Sequence, residues 1–160
     1  MQYHFDPIGV IHSPYTTIEN MPIQPSGAAG VKGSIVLAEK YIPALKDLSG
    51  FSHIILLYVF HEVTESRLQV KPFLDGEMHG LFATRAPKRP NPIGISVVRL
   101  LNIDKNQLAI ENVDVLNATP LLDIKPYVPD FDGEIHGLKL GWLENKTSTA
   151  QNQKSDGRFK

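Results

Sequence analysis

Twelve prolines and twelve glycines interrupt this 160-residue chain at short intervals, and that punctuation limits what it can fold into. Each proline fixes its own φ, removes a backbone donor and pushes the preceding residue toward extended geometry. The pieces left between breaks are short, and most carry period-two patterning. Residues 31–38 place Val31, Gly33, Ile35 and Leu37 on one side, as a half-buried strand does. Residues 51–63 are nearly continuous β-branched or aromatic, the pattern of a strand covered on both faces. Further strands are predicted at 8–12, 79–83, 94–103, 107–116, 121–124 and 135–143, with a bulge near Asn112 where the alternation changes phase. One helix is predicted over 39–48, from the stripe Tyr41, Ala44, Leu45 and Leu48 ending at Gly50. Residues 15–30, rich in proline and glycine, read as a long loop.

The expected fold is mainly β: a small closed or partly closed β-barrel with one or two short helices, since closure removes exposed edges. A Rossmann sheet is excluded because neither the glycine fingerprint nor a strand–turn–helix unit to hold it is present. The length suits one domain over residues 1–144, followed by a polar stretch, 145–160, expected to be disordered.

Composition narrows the chemistry. No cysteine is present, which removes disulfides, thiolate nucleophiles and zinc knuckles, and fits a cytoplasmic protein. No signal peptide or membrane span is read, and the six histidines show no HxH or HExxH spacing, so no metal is expected. The formal net charge of −1 sets a condition on RNA binding: the positive charge must be local, or a second subunit must complete it.

Two proline-stiffened polar segments stand out. In 84–94 (TRAPKRPNPIG), three prolines hold Arg85, Lys88, Arg89 and Asn91 in a rigid loop. Preordered cations and an amide lose little entropy on gripping an anion or a planar ring, although a solvated proline-rich turn explains the composition equally well. In 119–130 (TPLLDIKPYVPD), Asp123 and Lys125 alternate with Leu122 and Ile124 and so share one strand face. An exposed same-face ion pair is the simpler account of those two residues.

Together, TRAPKRPNPIGIS and ATPLLDIKPY, with IGVIHSPY near the start and FSHIILLYVFHE in the middle, resemble the signatures of the TsaA-like family of TrmO-type tRNA adenine N6-methyltransferases. The resemblance covers residues 5–143, in the form that lacks the extra C-terminal domain of longer members. It implies S-adenosyl-L-methionine as cofactor, a barrel-like homodimer with the cofactor cleft near the subunit contact, and the tRNA anticodon loop as partner. The implied cofactor contacts are Pro22, Ile23 and Gln24; His61 and Glu62; Arg85; Ile95; and Asn117, Ala118, Thr119 and Pro120. The last four are Asp-Gly-Thr-Pro in most members, so this chain replaces a carboxylate by an amide and a glycine by alanine.

The reaction implied is methylation at N6 of N6-threonylcarbamoyladenosine at position 37 of tRNA. Loss of the N6 proton calls for a base, and Asp123 and His61 are the candidates. Arg89 or Lys88 would hold the threonine carboxylate, with Asn91 and Lys125 as further substrate contacts and Tyr127 stacking on the base. The alternatives are a methyltransferase for another small substrate and a non-catalytic S-adenosylmethionine-binding regulator. A plain β-barrel interaction module would leave both stiff motifs unexplained.

Overall fold

A computed structural model describes residues 1–132 and 136–159. Six antiparallel strands close into a barrel: β1 (Gly9–His12), β2 (Lys32–Leu37), β3 (His53–Val59), β6 (Ile93–Asp104), β7 (Gln107–Glu111) and β8 (Thr119–Pro126). Their order around the barrel is β1-β2-β7-β6-β3-β8, with β8 pairing back onto β1. The two-residue strands β4 (Gln69–Val70) and β5 (His79–Gly80) form a separate ribbon. The closed, mainly β, non-Rossmann fold expected from the sequence is therefore the one observed.

The barrel interior is filled by one side chain in two. Along β3, Ile54, Leu56 and Tyr58 point inward, and they meet Ile11, Ile35, Val98, Leu108, Ile110 and Leu121 from the other strands. Burying a Leu or Ile stabilises the fold by roughly 1.5–3 kcal/mol per side chain, and this strict alternation fixes the strand register. The outer face of β3 is only partly covered, so the doubly covered strand expected there is corrected to a one-sided one.

Other differences have local causes. Residues 39–48 form a 3-10 turn (Glu39–Leu45) instead of an α-helix, because Pro43 removes a donor and Asp47, at φ 67, turns the chain before a second short turn, Leu48–Gly50. The bulge expected near Asn112 is present at the end of β7, where Asn112 and Val113 stand opposite the single residue Val31. Asn112 takes φ 68 and with Val113 donates its backbone N–H to Val31 O at 2.8 and 3.3 Å. Further register shifts, not expected from the sequence, fall at Leu101 in β6 and Leu122 in β8.

The strand expected over 135–143 is absent from 136–143, where Gly137 and Gly141 take φ 65 and 57 and a 3-10 turn covers Gly141–Leu143; residue 135 lies outside the described residues. Residues 145–159 also depart from the disordered tail expected. They fold back in 3-10 turns along the loop after β1, where Ser155 bonds Met21 and Ile18 and Lys154 bridges to Pro22. Phe159, 6% exposed, closes a small second core with Val70, Leu81, Ala86 and Phe73.

Candidate active site

At the barrel rim where β3 ends and β6 and β8 begin, a cleft of about 770 Å³ opens. Its walls come from chain segments that are distant in sequence: the loop after β1, the end of β3, the rigid loop before β6, the stretch joining β7 to β8, and the C-terminal turns. Pro22, Ile23, Gln24, His61, Glu62, Arg85, Ile95 and Thr119 all line it, as does Arg89. The two proline-stiffened segments thus meet at one cavity, through Arg85 and Thr119.

Each wall is held by specific bonds. Arg85 Nη1 donates to Gln24 Oε1 at 3.2 Å, tying the loop after β1 to the loop before β6. Arg89 Nη1 donates to the carbonyls of Thr84 at 2.9 Å and Ala86 at 3.3 Å, so its guanidinium also braces the loop that carries it. Thr119 Oγ1 donates to Leu116 O at 2.6 Å and sits 3.5 Å from His61 Nδ1, while His61 Nε2 lies 3.5 Å from Glu62 Oε1. Trp142 donates from Nε1 to Ala83 O at 2.7 Å and stacks on His79. Asp75 accepts from both His79 and Lys146, which hold its carboxyl well below the usual carboxylate range.

The floor carries a group that the sequence reading passed over. Asp114, between Val113 and Val115, accepts a hydrogen bond from Ser96 Oγ at 2.6 Å, and Ser96 is 3.0 Å from the Tyr58 hydroxyl. Burial pushes the Asp114 carboxyl up to about 6, against the pull of Ser96 and the more distant Arg85. Burial and the same carboxylate also push the Tyr58 phenol up. Gly94, from the PNPIG motif, leaves room for the Tyr58 ring: a Cβ there would lie 2.3 Å from Tyr58 Cε2. A lone acid inside an apolar alternating run was the available signal for Asp114.

Several candidates stand elsewhere. Asp123 faces outward on β8 and pairs with Lys125 Nζ at 2.7 Å, the exposed ion pair that was the simpler account. Tyr127 follows the far end of β8, roughly 25 Å of strand away from Thr119. Lys88 is 3% exposed and donates to Glu65 Oε1 at 2.9 Å, so it is not presented to a ligand. Asn91 is off the cleft wall. Asn117, Ala118 and Pro120 flank Thr119 in sequence and are not among the residues lining the cleft. Asn117 Oδ1 accepts from Ser13 N at 3.2 Å, which Asp would do equally well. Ala118 takes φ 62, the left-handed conformation a glycine adopts freely, so the turn persists with a strained residue in it.

Among the described residues, no group of three or more His, Asp or Glu is placed to hold a metal, and no helix is long and apolar enough to cross a membrane.

A barrel with a rim cleft built from these segments matches a known protein family. The family model described as tRNA-methyltransferase O N-terminal domain covers residues 10–133, and this chain belongs to that family. A probable S-adenosyl-L-methionine-binding protein of Pyrococcus abyssi is 49% identical over 97% of this chain and 84% of its own length. The tRNA (adenine(37)-N6)-methyltransferase of Escherichia coli is 39% identical over 79% of this chain, which spans 58% of that protein. The crystal structure of TrmO from Pseudomonas aeruginosa superposes with a TM-score of 0.73 at 35% identity, covering 89% of this chain and 63% of that one.

Proposed function

We propose that this protein is an S-adenosyl-L-methionine-dependent methyltransferase acting at N6 of N6-threonylcarbamoyladenosine in the tRNA anticodon loop. The observation that carries the reading is the convergence of Gln24, Arg85 and Thr119, from three distant segments, on one cleft. The cofactor, when bound, supplies a methyl group on a sulfonium. The cleft suits such a ligand: its volume falls within the ordinary range for small-molecule sites, apolar side chains such as Ile95 and Leu116 offer cover for a purine, and Glu62 supplies negative charge for a cation. Asn117, Ala118 and Pro120 serve this site by fixing the turn that presents Thr119.

For the RNA, the same rim offers a better stacking surface than Tyr127. Phe82 is 79% exposed on the cleft wall, and the Arg89 guanidinium lies 5.8 Å from its ring centroid. An exposed aromatic beside an arginine suits an unstacked base and the nearby carboxylate of a threonylcarbamoyl group. This local arrangement is how a chain of net charge −1 would meet an anion.

The protein is taken to work in the cytoplasm and as a homodimer, with Ile93, 41% exposed on the cleft wall, as apolar surface for the second copy to cover. The test of function is release of S-adenosylhomocysteine with tRNA that does or does not carry the threonylcarbamoyl group. Turnover with the modified tRNA alone is expected; equal turnover with both would overturn the substrate assignment. Binding of the cofactor with no turnover on any tRNA would leave the regulator reading instead. Against that alternative, Asn117 and Ala118, the departures that motivate it, are not among the lining residues, and the Asn117 side chain is turned to Ser13 N.

A further inference from the structure

Deprotonation of the substrate nitrogen needs an acceptor inside the cleft, and the structure narrows the choice. Asp123 is ruled out by its position on the outer face of β8, paired with Lys125. Glu62 is a largely exposed side chain at the mouth, 60% accessible, with Oε1 3.5 Å from His61 Nε2. His61 has Thr119 Oγ1 3.5 Å from Nδ1 and the Glu62 carboxylate 3.5 Å from Nε2, so neither ring nitrogen faces open cleft.

Asp114 differs from these in its surroundings. It lies on the cleft floor, bonded to its own backbone N–H and to one neutral side chain, the Ser96 hydroxyl, itself backed by the buried Tyr58 hydroxyl. The titratable and charged groups that face it are Tyr58 from β3, Tyr15 from the loop after β1, and Arg85 from the loop before β6. None of them forms an ion pair with it at contact distance among the described residues. A carboxylate held by hydroxyls remains available to receive a proton, whereas one locked to a cation does not.

We propose, on the methyltransferase reading above, that Asp114 is the catalytic base that takes the proton from the nitrogen being methylated. As the bond from that nitrogen to the methyl carbon forms, its N–H bond breaks and the proton passes to the Asp114 carboxylate. The electron pair of the broken carbon–sulfur bond stays on sulfur, which becomes a neutral thioether, and Asp114 later yields its proton to solvent. Ser96 is a positioning residue: its hydroxyl fixes the carboxylate and holds down its proton affinity.

The experiment combines pH–rate profiles of S-adenosylhomocysteine release with calorimetric binding of S-adenosylmethionine, for the wild type, Asp114→Asn and Ser96→Ala. Asp114→Asn is expected to lose at least about a hundredfold in turnover while cofactor affinity stays within about threefold. The wild-type rate should fall on the acid side near pH 6, and in Ser96→Ala, which keeps the carboxylate, that limb should move to higher pH. Turnover of Asp114→Asn within tenfold of wild type would overturn the assignment. So would a loss of cofactor affinity as large as the loss of turnover, which would make Asp114 a ligand of the cofactor's cation, and so would an unmoved acid limb in Ser96→Ala. A wild type that releases no S-adenosylhomocysteine with any tRNA would overturn the methyltransferase reading and this assignment together; an active wild type with an active Asp114→Asn overturns this assignment alone.

Discussion

Gly94 and Tyr58 are register partners across β6 and β3, and the tyrosine ring occupies the space a side chain at Gly94 would need. Tyr58 is buried and bonded to Ser96, so it has little freedom to retreat. Gly94→Ala is therefore expected to cost about 1–3 kcal/mol, read as a lower urea midpoint. It should also weaken turnover by disturbing the Tyr58–Ser96–Asp114 chain. A variant as stable and active as wild type would mean the ring is not packed as described.

Asp114 carries a stability cost that depends on pH in a definite direction. Its folded carboxyl titrates at about 6, above the ordinary carboxylate value of 3.8, so the folded state holds the proton more tightly than the unfolded one. Stability contributed by this group is full below the unfolded value and is lost as pH rises toward 6. Asp114→Asn keeps an acceptor for Ser96 without the charge. It should gain on the order of 2 kcal/mol at pH 8 and nothing at pH 3.5, measured by thermal melts across that range.

Ala118 offers the reverse experiment, a change toward the family's usual residue. At φ 62 a methyl group is strained and a hydrogen is not. Ala118→Gly should stabilise the protein by about 1 kcal/mol after the extra entropy of the unfolded glycine is counted. Equilibrium unfolding in urea checks it, and a destabilised variant would show that the turn is not held in this conformation.

Phe82 is expected to act on RNA and not on the cofactor. Phe82→Ala should raise KM for tRNA about tenfold, the loss of one stacked base, with cofactor affinity unchanged by calorimetry. Phe82→Trp should retain binding. Equal KM values for the alanine variant and wild type would remove the stacking role.

Asp75 gathers His79, Lys146 and, through His79, Trp142, so it fastens the C-terminal turns to the β4–β5 ribbon. Because its folded carboxyl is depressed, this tie is intact above the unfolded carboxylate value and is lost only in stronger acid. Asp75→Asn at neutral pH should make residues beyond 142 more susceptible to limited proteolysis while the barrel core stays protected. Unchanged cleavage would place the anchor elsewhere, at Ser155 or Phe159.

How much of this was legible in the sequence follows from the range of each interaction. Period-two alternation and short apolar runs are local signals, and they placed a strand at each of the six barrel positions, although the runs at 51–63 and 107–116 extend four or five residues beyond the ends of β3 and β7. The long loop over 15–30 and the meeting of Arg85 with Thr119 were also readable, the first from composition and the second from the TsaA-like motifs. The helix expected at 39–48 is a 3-10 turn because Pro43 overrides the few apolar spacings that suggest an α-helix. The C-terminal turns failed because two isolated anchors, Ser155 and Phe159, produce no periodic pattern. Asp123 and Tyr127 were drawn into the site by the motif that contains them, but β8 carries only its first residue, Thr119, to the rim. Asp114 had its signal, a single charge among valines, and only tertiary structure gives that charge a neighbour.

The backfolded C-terminus also sets where the chain can be cut. A fragment ending at residue 144, the boundary that hydrophobicity alone suggests, would discard Thr147, Ala150, Ser155 and Phe159 and breach one side of the cavity. Any minimal version made for crystals or assays therefore has to retain the polar stretch through Phe159, and a fusion handle belongs at the opposite terminus, where residues 1–7 are exposed.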